Sequence, residues 1–151
     1  MDSPELTNFG SVVRFALRLE EAAAAFYESL ASDAAGNTDP GLPSELATQH
    51  RDRRRILERT RAQVNEMTLE PIADLDGRRY VIDARSLPGR EGIHRGVALE
   101  EAATRFYSDA SVATKAVLAE AARTFRKIGE ESARNAVRLR TASFGGGTTR
   151  F

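Results

Sequence analysis

Two glutamates stand out first because each sits in the same nine-residue context. Leu19-Glu20-Glu21-Ala22-Ala23-Ala24-Ala25-Phe26-Tyr27 returns as Leu99-Glu100-Glu101-Ala102-Ala103-Thr104-Arg105-Phe106-Tyr107, with differences only at Ala24/Thr104 and Ala25/Arg105. A carboxylate one turn from small apolar residues and two turns from a tyrosine belongs on a helical stripe facing a core. Two such stripes would bring Glu20 and Glu100 together in a medium of low dielectric. There they repel, and one takes up a proton unless a cation or a metal stands between them. The polar residues able to answer that charge are His50 and Arg53 in one segment, and Ser132 and Asn135 in another. Imidazole and carboxylate are metal ligands; a guanidinium has no lone pair to give and stays protonated. The available chemistry is therefore a metal centre or a buried ion-pair network.

The elements that must position these groups follow from apolar periodicity. Val12, Ala16, Leu19, Ala23, Phe26 and Leu30 step by three or four residues, which predicts a helix over 8–33. The cluster from Gly36 to Gly41 ends it. Pro43 suits a first helical turn, and a second helix is expected over 43–67 with Leu46, His50, Arg53, Leu57 and Val64 on one face. A third is expected over 92–111 and a fourth over 114–142, the latter presenting Phe125, Ile128, Ser132, Asn135 and Leu139. Aligning Leu46 with Ile128 sets His50 opposite Ser132, Arg53 opposite Asn135 and Leu57 opposite Leu139. The repeat thus reads as a duplicated helical hairpin, each antiparallel because its loop is short. Residues 68–91 are a long connection for a compact domain. It makes sense as a crossover along the bundle, since helices of 25 residues are roughly 38 Å long. Arg79-Tyr80-Val81-Ile82 could be briefly extended, and the glycine-rich stretch 145–151 reads as a flexible tail.

Composition narrows the functions. The 22 basic residues, only two of them Lys, balance 22 acidic ones, so a dedicated nucleic-acid or anionic-membrane binder is not expected. The absence of Cys removes disulfides, thiolate metal sites and cysteine nucleophiles. No apolar run approaches the roughly 20 residues of a membrane span. Met1–Glu5 lacks the basic and apolar regions of a secretory signal, so the expected location is the cytoplasm. Arg51-Asp52-Arg53-Arg54-Arg55 is split around the helical cylinder; Arg51, Arg55, Glu58 and Arg59 are expected on a solvated face. Glu21 and Glu101 are expected to face solvent or a neighbouring helix, His94 to be exposed or capping, and Ser132 to lack the partners of a catalytic triad.

The doubled Leu-Glu-Glu-Ala-Ala-x-x-Phe-Tyr, the duplicated hairpin and the long crossover together resemble the ferritin-like superfamily, most closely its rubrerythrin-like branch. The resemblance covers nearly the whole chain. It implies an all-α four-helix bundle whose centre holds two irons, bound by one Glu from each of two helices and a Glu-x-x-His pair from each of the others. It also implies peroxidase, oxidase or iron-storage activity, and a homodimer. Glu20 and Glu100 match the single-glutamate ligands, and Tyr27 and Tyr107 resemble the tyrosines beside them. Where the family has Glu-x-x-His, however, this chain has His50-x-x-Arg53 and Ser132-x-x-Asn135. Moving the register to keep His50 as a ligand leaves Ala47 in the Glu position. The expectation is a metal-free relative without cofactor, with a structural or interaction role. In it Arg53 replaces the metal charge between Glu20 and Glu100, while His50, Ser132 and Asn135 supply hydrogen bonds. The alternatives are an iron-dependent oxidoreductase with a remodelled or mononuclear centre on Glu20, His50 and Glu100, and an arginine-based binder of anions.

Overall fold

A computed structural model of the chain describes residues 5–32, 41–63, 71–80 and 89–148. The protein is an all-α four-helix bundle of two hairpins. The helices are α1 (Phe9–Ser32), α2 (Gly41–Gln63), α3 (Gly89–Thr114) and α4 (Ala119–Thr148). Strands β1 (Glu5–Asn8) and β2 (Pro71–Asp76) pair antiparallel, with Leu6 opposite Leu75 and an irregularity between Leu6 and Asn8. Among the described residues no helix is long and apolar enough to cross a membrane.

Side-chain pairs set the helix directions. Glu21 meets Arg54 and Glu28 meets Arg51, so α1 and α2 are antiparallel. Glu101 meets Arg140 and the Ser111 hydroxyl donates to the Ala122 carbonyl, so α3 and α4 are too. Between hairpins, Tyr27 meets Glu100 and Tyr107 meets Glu20, which makes α1 and α3 antiparallel. Arg138 meets Glu45 and Arg53 meets Glu131, which does the same for α2 and α4. Helices α2 and α3 therefore run the same way, so the connection between them starts and ends at opposite ends of the bundle. Tyr80 pins that connection. Its ring packs edge-on against Phe15 and Phe106, and its hydroxyl donates to Asp109 over 2.6 Å.

Several boundaries differ from the expected ones for identifiable reasons. Asn8 caps α1: its side-chain oxygen accepts from the Ser11 amide at 2.8 Å, and the Ser11 hydroxyl accepts from the Asn8 amide at 3.2 Å. Thr114 ends α3 rather than opening α4; its carbonyl takes the amides of Val117 and Leu118, and α4 starts at Ala119. Arg79 and Tyr80 are not extended. They close a one-turn 3₁₀ helix, Gly77–Tyr80, after the Asp76 carboxylate accepts from the Arg78 amide. Val81 and Ile82, the turn cluster before Gly41, and Val64 lie outside the described residues. Helix α4 continues through Gly145-Gly146-Gly147 to Thr148, where a tail was expected. Glycine costs a helix about 1 kcal/mol per residue but meets no steric bar, and an existing helix extends one bond at a time.

The core falls into two apolar clusters. One holds Val12, Phe15, Leu57, Phe106 and Phe125; the other holds Ala23, Phe26, Leu30, Leu46, Leu99 and Leu139. The expected stripes are the buried ones, with Leu19 only partly covered. Between the two clusters lies a layer of polar side chains.

Candidate functional site

That layer is the centre expected from the sequence. Glu20, Glu100, Ser132, His50, Asn135 and Arg53 are all buried, none more than 2% exposed. Each helix contributes because its apolar stripe is broken at one level: Glu20 on α1, His50 and Arg53 on α2, Glu100 on α3, Ser132 and Asn135 on α4.

His50, not Arg53, stands between the two glutamates. Its Nδ1 bonds Glu20 Oε1, and its Nε2 lies 2.7 Å from Glu100 Oε2. Imidazole nitrogens point from opposite edges of a short, flat ring, which spans two facing carboxylates. The longer Arg53 side chain carries its head past them. Its Nη1 donates to Ser132 Oγ at 2.9 Å and lies 3.7 Å from Glu20 Oε2, while its Nε donates to Glu131 Oε1 at 2.7 Å. The expectation that Arg53 lies between Glu20 and Glu100 is thus corrected: it flanks Glu20, and His50 takes the central position.

The tyrosines cross over. Tyr27 donates to Glu100 at 2.7 Å, and Tyr107 donates to Glu20 at 2.5 Å, so each serves the glutamate of the other repeat. Tyr27 also stacks on the His50 ring, 5.4 Å between centroids. The Tyr27 ring lies close to Gly96, where a Cβ would touch Tyr27 at 3.4 Å and Leu139 at 3.3 Å. Asn135 Nδ2 donates to Glu100 Oε1 at 3.3 Å and to Gln49 Oε1 at 2.5 Å.

Charge states follow from these contacts. Burial alone would keep the His50 ring neutral, but Glu20 and Glu100 outweigh it and push its pKa up to about 9. Burial alone would raise Glu100; His50, Arg53 and the Tyr27 hydroxyl pull it down to about 2. Burial would also lower Arg53, yet Glu20 and Glu100 hold it above the usual guanidinium value. Tyr27 and Tyr107 are raised well above the usual phenol value, by burial first and then by Glu100 and Glu20 respectively, so both remain donors. His50 and Arg53 thus face Glu20 and Glu100 in the interior, and Glu131 at the edge of the layer puts a third carboxylate on Arg53. Among the described residues no buried side-chain nitrogen or oxygen lacks a hydrogen-bond partner.

A two-iron centre does not fit this donor set. Both nitrogens of His50 are engaged by carboxylates, so the ring directs no lone pair outward. The four positions that the resemblance sets against Glu-x-x-His hold an imidazole, a guanidinium, a hydroxyl and an amide. Among the described residues no group of three or more His, Asp or Glu side chains is disposed to hold a metal ion.

Gln49 and Glu131 were missed by the sequence reading. Gln49 accepts from Asn135 and, at 3.4 Å, from Arg53 Nη2; Glu131 takes Arg53 Nε. The alignment of Leu46 with Ile128 also sets Gln49 opposite Glu131. Both precede the polar pair of their helix, and that shared place was the available signal. As expected, Glu21 is exposed and meets Arg54, Glu101 is half-buried and meets Arg140, and His94 is exposed. Arg51, Arg55, Glu58 and Arg59 are exposed on α2.

Set against family models, curated proteins and solved structures, the chain finds no match.

Proposed function

We propose that this protein is a ferritin-like bundle that has given up di-iron binding and serves as a non-catalytic structural or interaction module. The observation that carries this reading is the His50 bridge. An imidazolium donating to Glu20 on one side and Glu100 on the other supplies the positive charge that a metal would otherwise provide. Arg53 adds the second charge through Glu20. The helix directions, with one crossover along the bundle, support the ferritin-like assignment, since that fold has one long connection. Tyr27 and Tyr107 serve in the centre as donors that hold the two glutamates in place.

Metal content tests the proposal. Protein purified from iron-supplemented medium should carry well under one iron per chain. It should lack an oxo-bridged iron absorption band, and iron addition should leave its melting temperature unchanged. Stoichiometric iron with that band would overturn the proposal in favour of an iron-dependent oxidoreductase of the rubrerythrin-like kind.

A further inference from the structure

The outer seam of the second hairpin carries a separate feature. Two adjoining cavities, about 320 and 370 Å³, lie along α3 and α4 and share Ser111, Val112 and Arg126. Their floor is small: Gly129 and Ala122 are buried, and Ala133 lies at one end. Gly129 lets the two helices close on each other, since a Cβ there would lie 3.2 Å from Tyr107 Cβ. Val112 stands on the rim 75% exposed, and Val137, one turn beyond Ala133 on α4, is 58% exposed. From Thr104 to Val112 on α3 the groove runs about 12 Å, a little over two helical turns, and it continues to Lys115 in the turn after the helix.

The first hairpin shows what closes such a seam. Under the alignment of the two repeats, Ser108 corresponds to Glu28 and Ala133 to Arg51. Glu28 and Arg51 form an ion pair across the α1–α2 seam. The α3–α4 seam has a hydroxymethyl and a methyl group in those places and stays open.

We propose that the α3–α4 groove docks an amphipathic helix of another protein, one with an apolar stripe flanked by Asp and Glu. Val112, Ala122 and Ala133 offer the apolar contact, in the manner of a helix laid into a groove. The rim selects the charge. Lys115 and Arg126 have no acidic partner among the described residues, and Arg123 has only Glu120 of its own helix at 3.6 Å. Among the described residues Glu130 is the one acid lining the groove. A second copy placed symmetrically on this seam would set those cations against themselves. The inference concerns a surface away from the buried centre, so it stands or falls independently of metal content.

The test uses a synthetic peptide of about 18 residues with leucines at helical spacing and glutamates on both flanks, and a control with lysines for the glutamates. Backbone amide shifts of the full chain on titration should move along Thr104–Lys115 and Ala122–Ala133 with the acidic peptide only. Val112→Glu should weaken binding roughly tenfold or more. So should Ser108→Glu combined with Ala133→Arg, which builds the first hairpin's ion pair across the groove. All three sites are exposed, and an unchanged melting temperature verifies that each variant folds. Shifts elsewhere, equal binding of the lysine peptide, or unaltered affinity in both variants would overturn the proposal. So would concentration-dependent dimerisation that Val112→Glu abolishes, since a second copy would then be the occupant.

Discussion

The two hairpins share a sequence motif and differ in where they put charge. The first carries both buried cations, His50 and Arg53, on α2; the second carries neutral Ser132 and Asn135 at the matching positions of α4. Each also carries one buried glutamate. Glu100 is therefore paired with no cation of its own hairpin and depends on His50, and at longer range Arg53, from the other, while Glu20 has both within 4 Å. The hydroxyls of Tyr27 and Tyr107 cross in the same sense. A duplicated scaffold need not be two self-sufficient halves. Here the polar layer makes the halves complementary: the buried cations come from the first hairpin, and two of the carboxylates they meet, Glu100 and Glu131, come from the second.

The largest expected effect comes from removing the bridge. His50→Ala leaves Glu100 facing Glu20 in the interior with only Arg53 nearby. Removing one partner of a buried ion pair typically costs about 3–5 kcal/mol, because the other charge is stranded. Urea unfolding should register a loss of that order. Arg53→Ala should fall in the same range, somewhat lower, because Glu131 is 34% exposed and is solvated once released. Glu100→Gln in the His50→Ala background should recover part of the loss. A cost below about 1 kcal/mol for both single variants would mean that the centre holds no matched charge.

Dependence on pH sharpens the same contrast. The pKa of His50 is raised in the folded state, so its contribution is complete below about pH 6.5 and lost as pH climbs through about 9. That of Glu100 is lowered, so its contribution is complete above about pH 4.5 and lost as pH falls toward 2. The melting temperature should therefore peak between these limits, near pH 5 to 6, and decline on the alkaline side. His50→Gln should flatten the alkaline decline. An equally steep decline in that variant would assign it to other groups.

The sequence made the bundle and its polar layer legible because both rest on local periodicity: an apolar stripe broken at one level shows which residues meet. It did not show which cation lies between the carboxylates. His50 and Arg53 share one face of α2 one turn apart, and side-chain reach, not spacing, decides between them. The β1–β2 ribbon was hidden for a different reason. Its strands are four and six residues long and lie far apart in the chain, so neither carries a strand-like pattern of its own. Gly129 gave no sign of its role, since a glycine within a helix marks a close approach only when its neighbour across the seam is known. The open groove was invisible for the same reason, until Ser108 and Ala133 could be set beside Glu28 and Arg51.

The smallest expected effect lies on the seam of the first hairpin. Arg51 pairs with Glu28, and Arg54 with Glu21 at 3.3 Å, but these four side chains are 43–57% exposed. Water and salt screen such pairs, and each is worth about 0.2–1 kcal/mol at most. Arg51→Ala and Arg54→Ala should each shift the urea midpoint only slightly, and added salt should erase the difference. Under the proposed docking, the Glu28–Arg51 pair matters more for keeping a helix off this seam than for stability. With Arg51 replaced by Ala and Glu28 by Ser, the first seam becomes a copy of the second at those positions. It should remain folded and gain an exposed small-residue strip, detectable as new binding of the acidic helical peptide to α1 and α2. If the double variant binds no better than the original, the open seam alone does not make the docking surface, and the cations at Lys115 and Arg126 become the deciding feature.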